Sequence, residues 1–203
     1  MMGKDRKEEI IMATLELASE IGLGSVSMSM IADKVGIRKP SLYNHYGSRE
    51  EIVEAMYKYL RDKARKSMGS TMVDYGELLK GKTALEVLQF VVGNYQKMNE
   101  DKYMQMFYKV IYSERSIDEM AAKIMVEETE KMILATKQLF YAFQVHGLLT
   151  FQNADMSAVA FAMTIHSLMD YMMDKNTAKV MDDSDSNDNI IGEYLQWFCM
   201  ENR

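Results

Sequence analysis

The residues with the clearest chemistry lie in one run, Arg38-Lys39-Pro40-Ser41-Leu42-Tyr43-Asn44-His45. Two cations open it, and hydroxyl, phenol, amide and imidazole groups follow within two helical turns. Cations at the start of a short helix suit phosphate oxygens, which set register and supply most of the salt-dependent affinity for nucleic acid. Pro40 and Ser41 are slim enough to let a helix approach a groove. Ser41 can hydrogen-bond a base or a phosphate, and Tyr43 and His45 can donate to backbone oxygens. Asn44 can pair bidentately with adenine if it points inward. Leu42 and Tyr46, four apart, should face inward and lock the run onto Ile31 and Val35. Plainer readings compete. Tyr43 could pack at a hinge between domains, His45 could be an ordinary surface histidine, and Asn44 is more often solvated than base-reading. Ser41 and His45 also share a helix face, so a nucleophile and its base are conceivable. No third group, oxyanion site or metal spacing accompanies them, and the chain is expected not to be an enzyme.

The flanking sequence supplies the scaffold for such a helix. A stripe of Ile10, Thr14, Leu17 and Ile21 predicts an amphipathic helix over about 5–21. Gly22 and Gly24 end it, one of them as a left-handed cap. Ser27 is placed to cap a helix over about 28–35. Gly36 stands where a sharp turn needs positive φ. Pro40 fits a first helical turn, where its missing N–H costs nothing. Ser48 with Glu51 reads as a capping box for a helix over about 49–67. The result is a helix, a tight turn and a second short helix able to present its N-terminal residues to base edges.

At these residues the chain resembles the TetR family of bacterial transcriptional regulators. The matching positions are Ile31-Ala32-x-x-Val35-Gly36-Ile37, Lys39 through Tyr46, and Gly47-Ser48-Arg49-Glu50-Glu51-Ile52. The resemblance covers residues 8–60, about a quarter of the chain. It implies that Lys39, Pro40, Tyr43 and His45 face DNA, that Arg49 touches phosphate, and that Ser27 and Ser29 meet the opposite backbone strand. One position departs. The family usually has Ser or Thr where this chain has Arg38, and that side chain caps the recognition helix. Arginine cannot cap, so the helix start is rearranged or is satisfied by DNA or water. Arg38 could instead add a phosphate or guanine contact.

Composition bounds the rest. The chain has 203 residues, 48% of them hydrophobic, enough for a sizeable core. One proline and frequent apolar residues at helical spacing predict an all-α fold. The expected architecture is an N-terminal three-helix helix-turn-helix DNA-binding domain over 1–48. A larger helical effector-binding and dimerisation domain over 49–203 follows. No run of about 18 apolar residues occurs, so no membrane span is expected. The polar start KDRKEEI is not a secretory signal. Cys199 stands alone, giving no disulfide and no metal spacing. A cytoplasmic protein without cofactor or metal is the expectation. The net charge of −6 is unevenly spread. Residues 1–66 hold 12 basic and 10 acidic side chains, a balance of +2, and residues 67–203 hold 12 and 20, a balance of −8. The DNA-facing surface can therefore be positive in an acidic protein. The basic run Arg61–Lys66 reads equally well as a solvated helix face.

Beyond residue 81, helices are predicted at about 83–100, 102–113, 117–147, 155–174 and 188–200. Residues 69–81 carry three glycines and little pattern, and 176–189 form an acidic polar loop. The 155–174 helix is apolar almost all round, which suits burial on two sides, one its own core and the other a partner subunit. Ile190, Ile191, Tyr194, Leu195 and Phe198 continue that surface on the last helix. Two such helices from each subunit would form a four-helix interface. TetR-like proteins commonly form homodimers in this way. The resemblance also implies a pocket for a small effector that releases the operator. Tyr103, Phe107, Tyr108, Met125, Met132, Phe143 and His166 are its candidate wall, since such pockets are mostly apolar with few polar groups. The competing reading is plain core, and for His146 and His166 a satisfied core histidine. The leading expectation is a dimeric, ligand-responsive regulator, most simply a repressor. The alternatives are a helical interaction module that no longer binds DNA, or a hydrolase.

Overall fold

The computed structural model describes residues 2–68, 73–98, 101–179 and 189–203. Among these residues the regular structure is helical throughout. The helices are α1 Met2–Ile21, α2 Met28–Val35, α3 Lys39–Tyr43, α4 Arg49–Met68, α5 Tyr75–Leu79, α6 Ala84–Met98, α7 Lys102–Glu114, α8 Glu119–Val145, α9 Ala154–Ala178 and α10 Ile190–Glu201. A 3-10 turn, Leu23–Ser25, links α1 to α2. No described helix is long and apolar enough to cross a membrane.

One element was not expected. The weakly patterned stretch after α4 contains α5, whose start is fixed by the Asp74 carboxylate accepting from the Glu77 N–H at 3.2 Å. Local capping chemistry wins there over weak periodicity. Gly22 does take positive φ, 79°, but with ψ 143° it is not a left-handed cap. Its N–H still closes α1 by reaching the Ala18 carbonyl at 3.0 Å.

The chain divides into two compact units, residues 1–71 with 96–125, and residues 72–95 with 126–203. In the first unit α1, α2, α3 and α4 pack with α7 around one core. Ile10, Leu15, Ile31, Leu42, Ile52, Met56 and Leu60 are fully enclosed there, with Phe107 and Ile111 of α7 among them. This unit runs on past residue 48 to take in α4 and α7. The apolar faces of α4 and α7 complete the core around α1, α2 and α3.

The second unit is built on aromatic contacts. Phe140 stacks on Phe151, with ring centroids 4.5 Å apart and planes within 6°. Phe161 meets Phe198 at 4.8 Å and 60°. Such pairs add about 0.5–1.5 kcal/mol each beyond area burial. The Asn202 carbonyl accepts the Thr150 N–H at 2.7 Å, and its amide returns to the Phe198 carbonyl at 2.8 Å, tying the α10 end to the α8–α9 connection. Cys199 is buried, and burial pushes its thiol up, away from the thiolate form.

Candidate nucleic-acid interface

The α2–α3 corner forms as its sequence requires. Ser27 accepts the Met30 N–H at 3.3 Å and caps α2. Gly36 closes it at φ 73° and ψ 33°, a left-handed conformation that an L side chain resists. Across that turn Ile37 N–H reaches the Ala32 carbonyl at 2.9 Å. Lys34 pairs with Glu16 at 3.2 Å, holding α2 against α1.

The α3 helix has five residues, about 7.5 Å of axis, short and slim enough for a major groove about 12 Å wide. Pro40 lies in its first turn. Arg38 is the N-cap residue and makes no side-chain cap bond, in line with the departure seen in the sequence. Its carbonyl nonetheless accepts the Ser41 and Leu42 N–H groups at 2.8 and 3.2 Å. Leu42 is wholly buried beside Ile31, with Val35 against the same cluster, and Tyr46 is buried next to it. Burying a leucine side chain contributes about 1.5–3 kcal/mol. One residue therefore anchors the helix and fixes which face it turns outward.

That outward face carries the candidates. Arg38, Lys39, Pro40, Ser41 and Asn44 are exposed, and Tyr43 is 46% exposed. Tyr43 is thus not packed at a hinge. His45 is half-buried. Ser29 is exposed, and Ser27, though capping, keeps its own O–H to donate. Among the described residues neither Arg38 nor Lys39 forms an ion pair, so both cations remain available to phosphate. Among the described residues no hydrogen bond joins Ser41 to His45.

Arg49 is different. Its guanidinium turns inward and donates to the Leu23 carbonyl, and its side chain is only 28% exposed. A weaker contact to Glu50 spans 3.5 Å. One of its N–H donors is thus held by the protein's own backbone. Ser48 and Glu51 do form a cap, with the Glu51 N–H on the Ser48 hydroxyl at 3.2 Å. The reciprocal carboxylate bond reaches one residue further back than expected, to the Gly47 N–H at 2.6 Å.

The seven effector candidates do not gather in one unit. Tyr103, Phe107, Tyr108 and Met125 belong to the first, and Met132, Phe143 and His166 to the second. Phe107 and Phe143 are closed core residues, each in a different cluster. Tyr103 is half-buried with the Lys63 ammonium 4.9 Å over its ring. Tyr108, Met125 and Met132 are also half-buried. His166 faces Asp170 one turn on at 3.4 Å. His146, expected inside an apolar run, lies exposed just past the end of α8.

A cleft of about 640 Å³ does open in the first unit, and none of the seven lines it. Its walls come from the 3-10 turn, the start of α4 and the α7–α8 connection, with Arg49 and Tyr57 among them. Sequence reasoning missed it because Tyr57 falls on the apolar stripe of α4 between Met56 and Leu60. The available signal was its hydroxyl, which needs a partner once buried.

Residues 10–56 match the family model for "Bacterial regulatory proteins, tetR family". The class C tetracycline repressor protein of Escherichia coli is 27% identical over 55 residues, covering 27% of this chain and 25% of that protein. The class G tetracycline repressor protein of Vibrio anguillarum is 29% identical over 80 residues, covering 39% and 38%. The match therefore spans between a quarter and two fifths of these relatives' length. The whole-chain fold is similar to that of a TetR transcription regulator from Haloarcula marismortui, with TM-score 0.66, 17% identity and 98% of both chains covered. It is also similar to a proposed transcriptional regulator from Saccharomonospora viridis in complex with choline, with TM-score 0.69, 15% identity, and 98% and 97% coverage. Over residues 10–56, the helix-turn-helix and the residues that build it, the chain is thus similar to the tetR family of bacterial regulatory proteins.

Proposed function

We propose that the protein is a dimeric transcriptional regulator that reads an operator through α3 and releases it when a small molecule binds. The observation that carries this reading is the outer face of α3. Lys39, Ser41, Tyr43 and Asn44 stand exposed on a helix whose inner residue, Leu42, is locked in the core. Exposed polar side chains on a rigid support are what groove recognition requires, since phosphate contacts position the helix and base contacts specify sequence. Arg38, Pro40 and His45 flank that face, and the exposed Ser27 and Ser29 would meet the second backbone strand. In this reading residues 1–48 read DNA, while 49–203 bind the effector and the second subunit.

Repression is the simplest mode, supported by the similarity to tetracycline repressor proteins. A small-molecule effector is supported by the related fold in complex with choline. The half-buried Tyr103, Tyr108 and Met125 are the candidates best placed to meet such a molecule. Dimerisation is supported by an exposed stripe on α9, Met156, Ala160, Met163, Ser167 and Tyr171, opposite the buried Ala158, Phe161, Ala162 and Ile165. Effector binding would favour a spacing of the two α3 helices that no longer matches successive major grooves.

The test is selection of a binding site from random duplex DNA, followed by affinity measurement across salt concentrations. The expected result is a near-palindrome with half-sites about 10 base pairs apart or a multiple, with affinity falling as salt rises. An interaction module that has lost DNA binding would enrich no site and show no such slope.

A further inference from the structure

We propose that the cleft of the first unit is a binding site for an amphiphilic organic cation that carries an oxygen acceptor. The cleft is about 640 Å³, within the range of small-molecule sites. At its wall stands Tyr57, only 1% exposed, whose hydroxyl has no hydrogen-bond partner. The Arg49 Nε–H on the same wall is likewise buried and unpartnered. A buried donor left unmade is costly, and unmade donors concentrate where something else supplies the acceptor. One oxygen on a guest would satisfy the phenol or the guanidinium Nε–H.

The charge of the cleft selects the rest of the guest. Its walls carry five carboxylates and one guanidinium. Three of the carboxylates are occupied, Glu51 by the Gly47 N–H, Glu50 by Arg49, and Asp118 by capping α8 at the Ala121 N–H. Glu54 and Glu114 have no such partner. Two unpaired carboxylates beside a buried phenol favour a cationic group near the rim. The apolar wall beside these carboxylates favours an organic cation over a bare metal ion. Val53, Ile117 and Met120 supply apolar wall between the two polar ends. Ile117 is 82% exposed, an apolar side chain left in water at the mouth. The proposal is independent of what α3 binds, and its test contains no DNA.

Tyramine joins a phenol oxygen to an ammonium group across an apolar body, and serves as the probe. N-acetyltyramine keeps the body without the charge, and 4-hydroxyphenylacetate reverses it. Calorimetric titration of the full chain should show saturable binding of tyramine, about tenfold or more weaker binding of N-acetyltyramine, and none of 4-hydroxyphenylacetate. Tyr57→Phe should weaken tyramine by about threefold or more, the loss of one neutral hydrogen bond. Glu114→Gln should weaken it further still, and both variants should keep the parent's circular dichroism. Equal binding of the three compounds would overturn the proposal, as would no binding at millimolar concentration. Binding that both variants leave unchanged would overturn it too. A tyramine-soaked crystal with only water at Tyr57 would do the same.

Discussion

The Arg49 guanidinium donates to the main-chain carbonyl of Leu23. This bond ties the first residue of α4 to the 3-10 turn that follows α1, and so braces the helix-turn-helix from behind. A hydrogen bond from a charged donor contributes about 1.5–3 kcal/mol. Arg49→Met should lower unfolding stability by an amount in that range, read by urea denaturation. It should leave the salt slope of DNA binding unchanged, because the side chain is spent on the protein itself. A flatter slope with unchanged stability would mean that Arg49 swings out to phosphate after all.

Lys39 and Tyr43 should behave in the opposite way. Both are exposed, and neither supports the core. Lys39→Ala and Tyr43→Phe should each weaken operator binding by about 1.5–3 kcal/mol, the worth of a hydrogen bond to a charged group. Lys39→Ala should also flatten the salt dependence by about one unit per contact. Urea midpoints should match the parent. Full affinity in both variants would place the recognition surface elsewhere.

The contrast between these residues marks what the sequence could and could not convey. Ser27, Gly36, Pro40 and Leu42 act through local rules of capping, positive φ and helical spacing, so their roles were legible residue by residue. The bond from Arg49 was not legible, because its partner, Leu23, is 26 positions away and offers a backbone carbonyl, which no side-chain pattern announces. Phe107 and Phe143 share a composition with ligand-pocket walls. Only packing distinguishes a closed core from a cavity, and periodicity records neither. The apolar face of α7 reads as its own helix and does not declare that its partners are α1 and α4.

Tyr57 yields a prediction in which pH carries the sign. Burial, then the charges of Asp118 and Glu114, push its phenol well above the usual value of 10.0, with Arg49 opposing. A phenol raised in the folded state contributes stability that is fully present below its unfolded value. That stability is lost as pH rises from 10 toward the folded value, because the unfolded chain ionises first. Tyr57→Phe should therefore reduce alkaline destabilisation above pH 10. At neutral pH it removes an unpaired buried hydroxyl, so stability should stay level or rise by about 1–3 kcal/mol. Urea titrations at neutral and alkaline pH check both halves. A loss of more than about 1 kcal/mol at neutral pH would show that the hydroxyl has a partner, such as bound water.

The subunit interface is best probed at Met163. Met169, on the same helix, is half-buried against the core of its own unit, so a charge there would test folding rather than association. Met163 is 45% exposed and lies midway along the Met156–Tyr171 stripe. In an isolated subunit Met163→Arg places a guanidinium in water at little cost. In a dimer joined through this stripe it buries an unpaired charge, at a cost of about 3 kcal/mol or more. Association should weaken about a hundredfold or more. Sedimentation velocity should then show a monomer with unchanged helical circular dichroism. A half-exposed Trp197→Ala on α10 should shift association in the same direction, since aromatic anchors dominate such interfaces. If both variants sediment as the parent does, the α9 stripe is not where two copies meet.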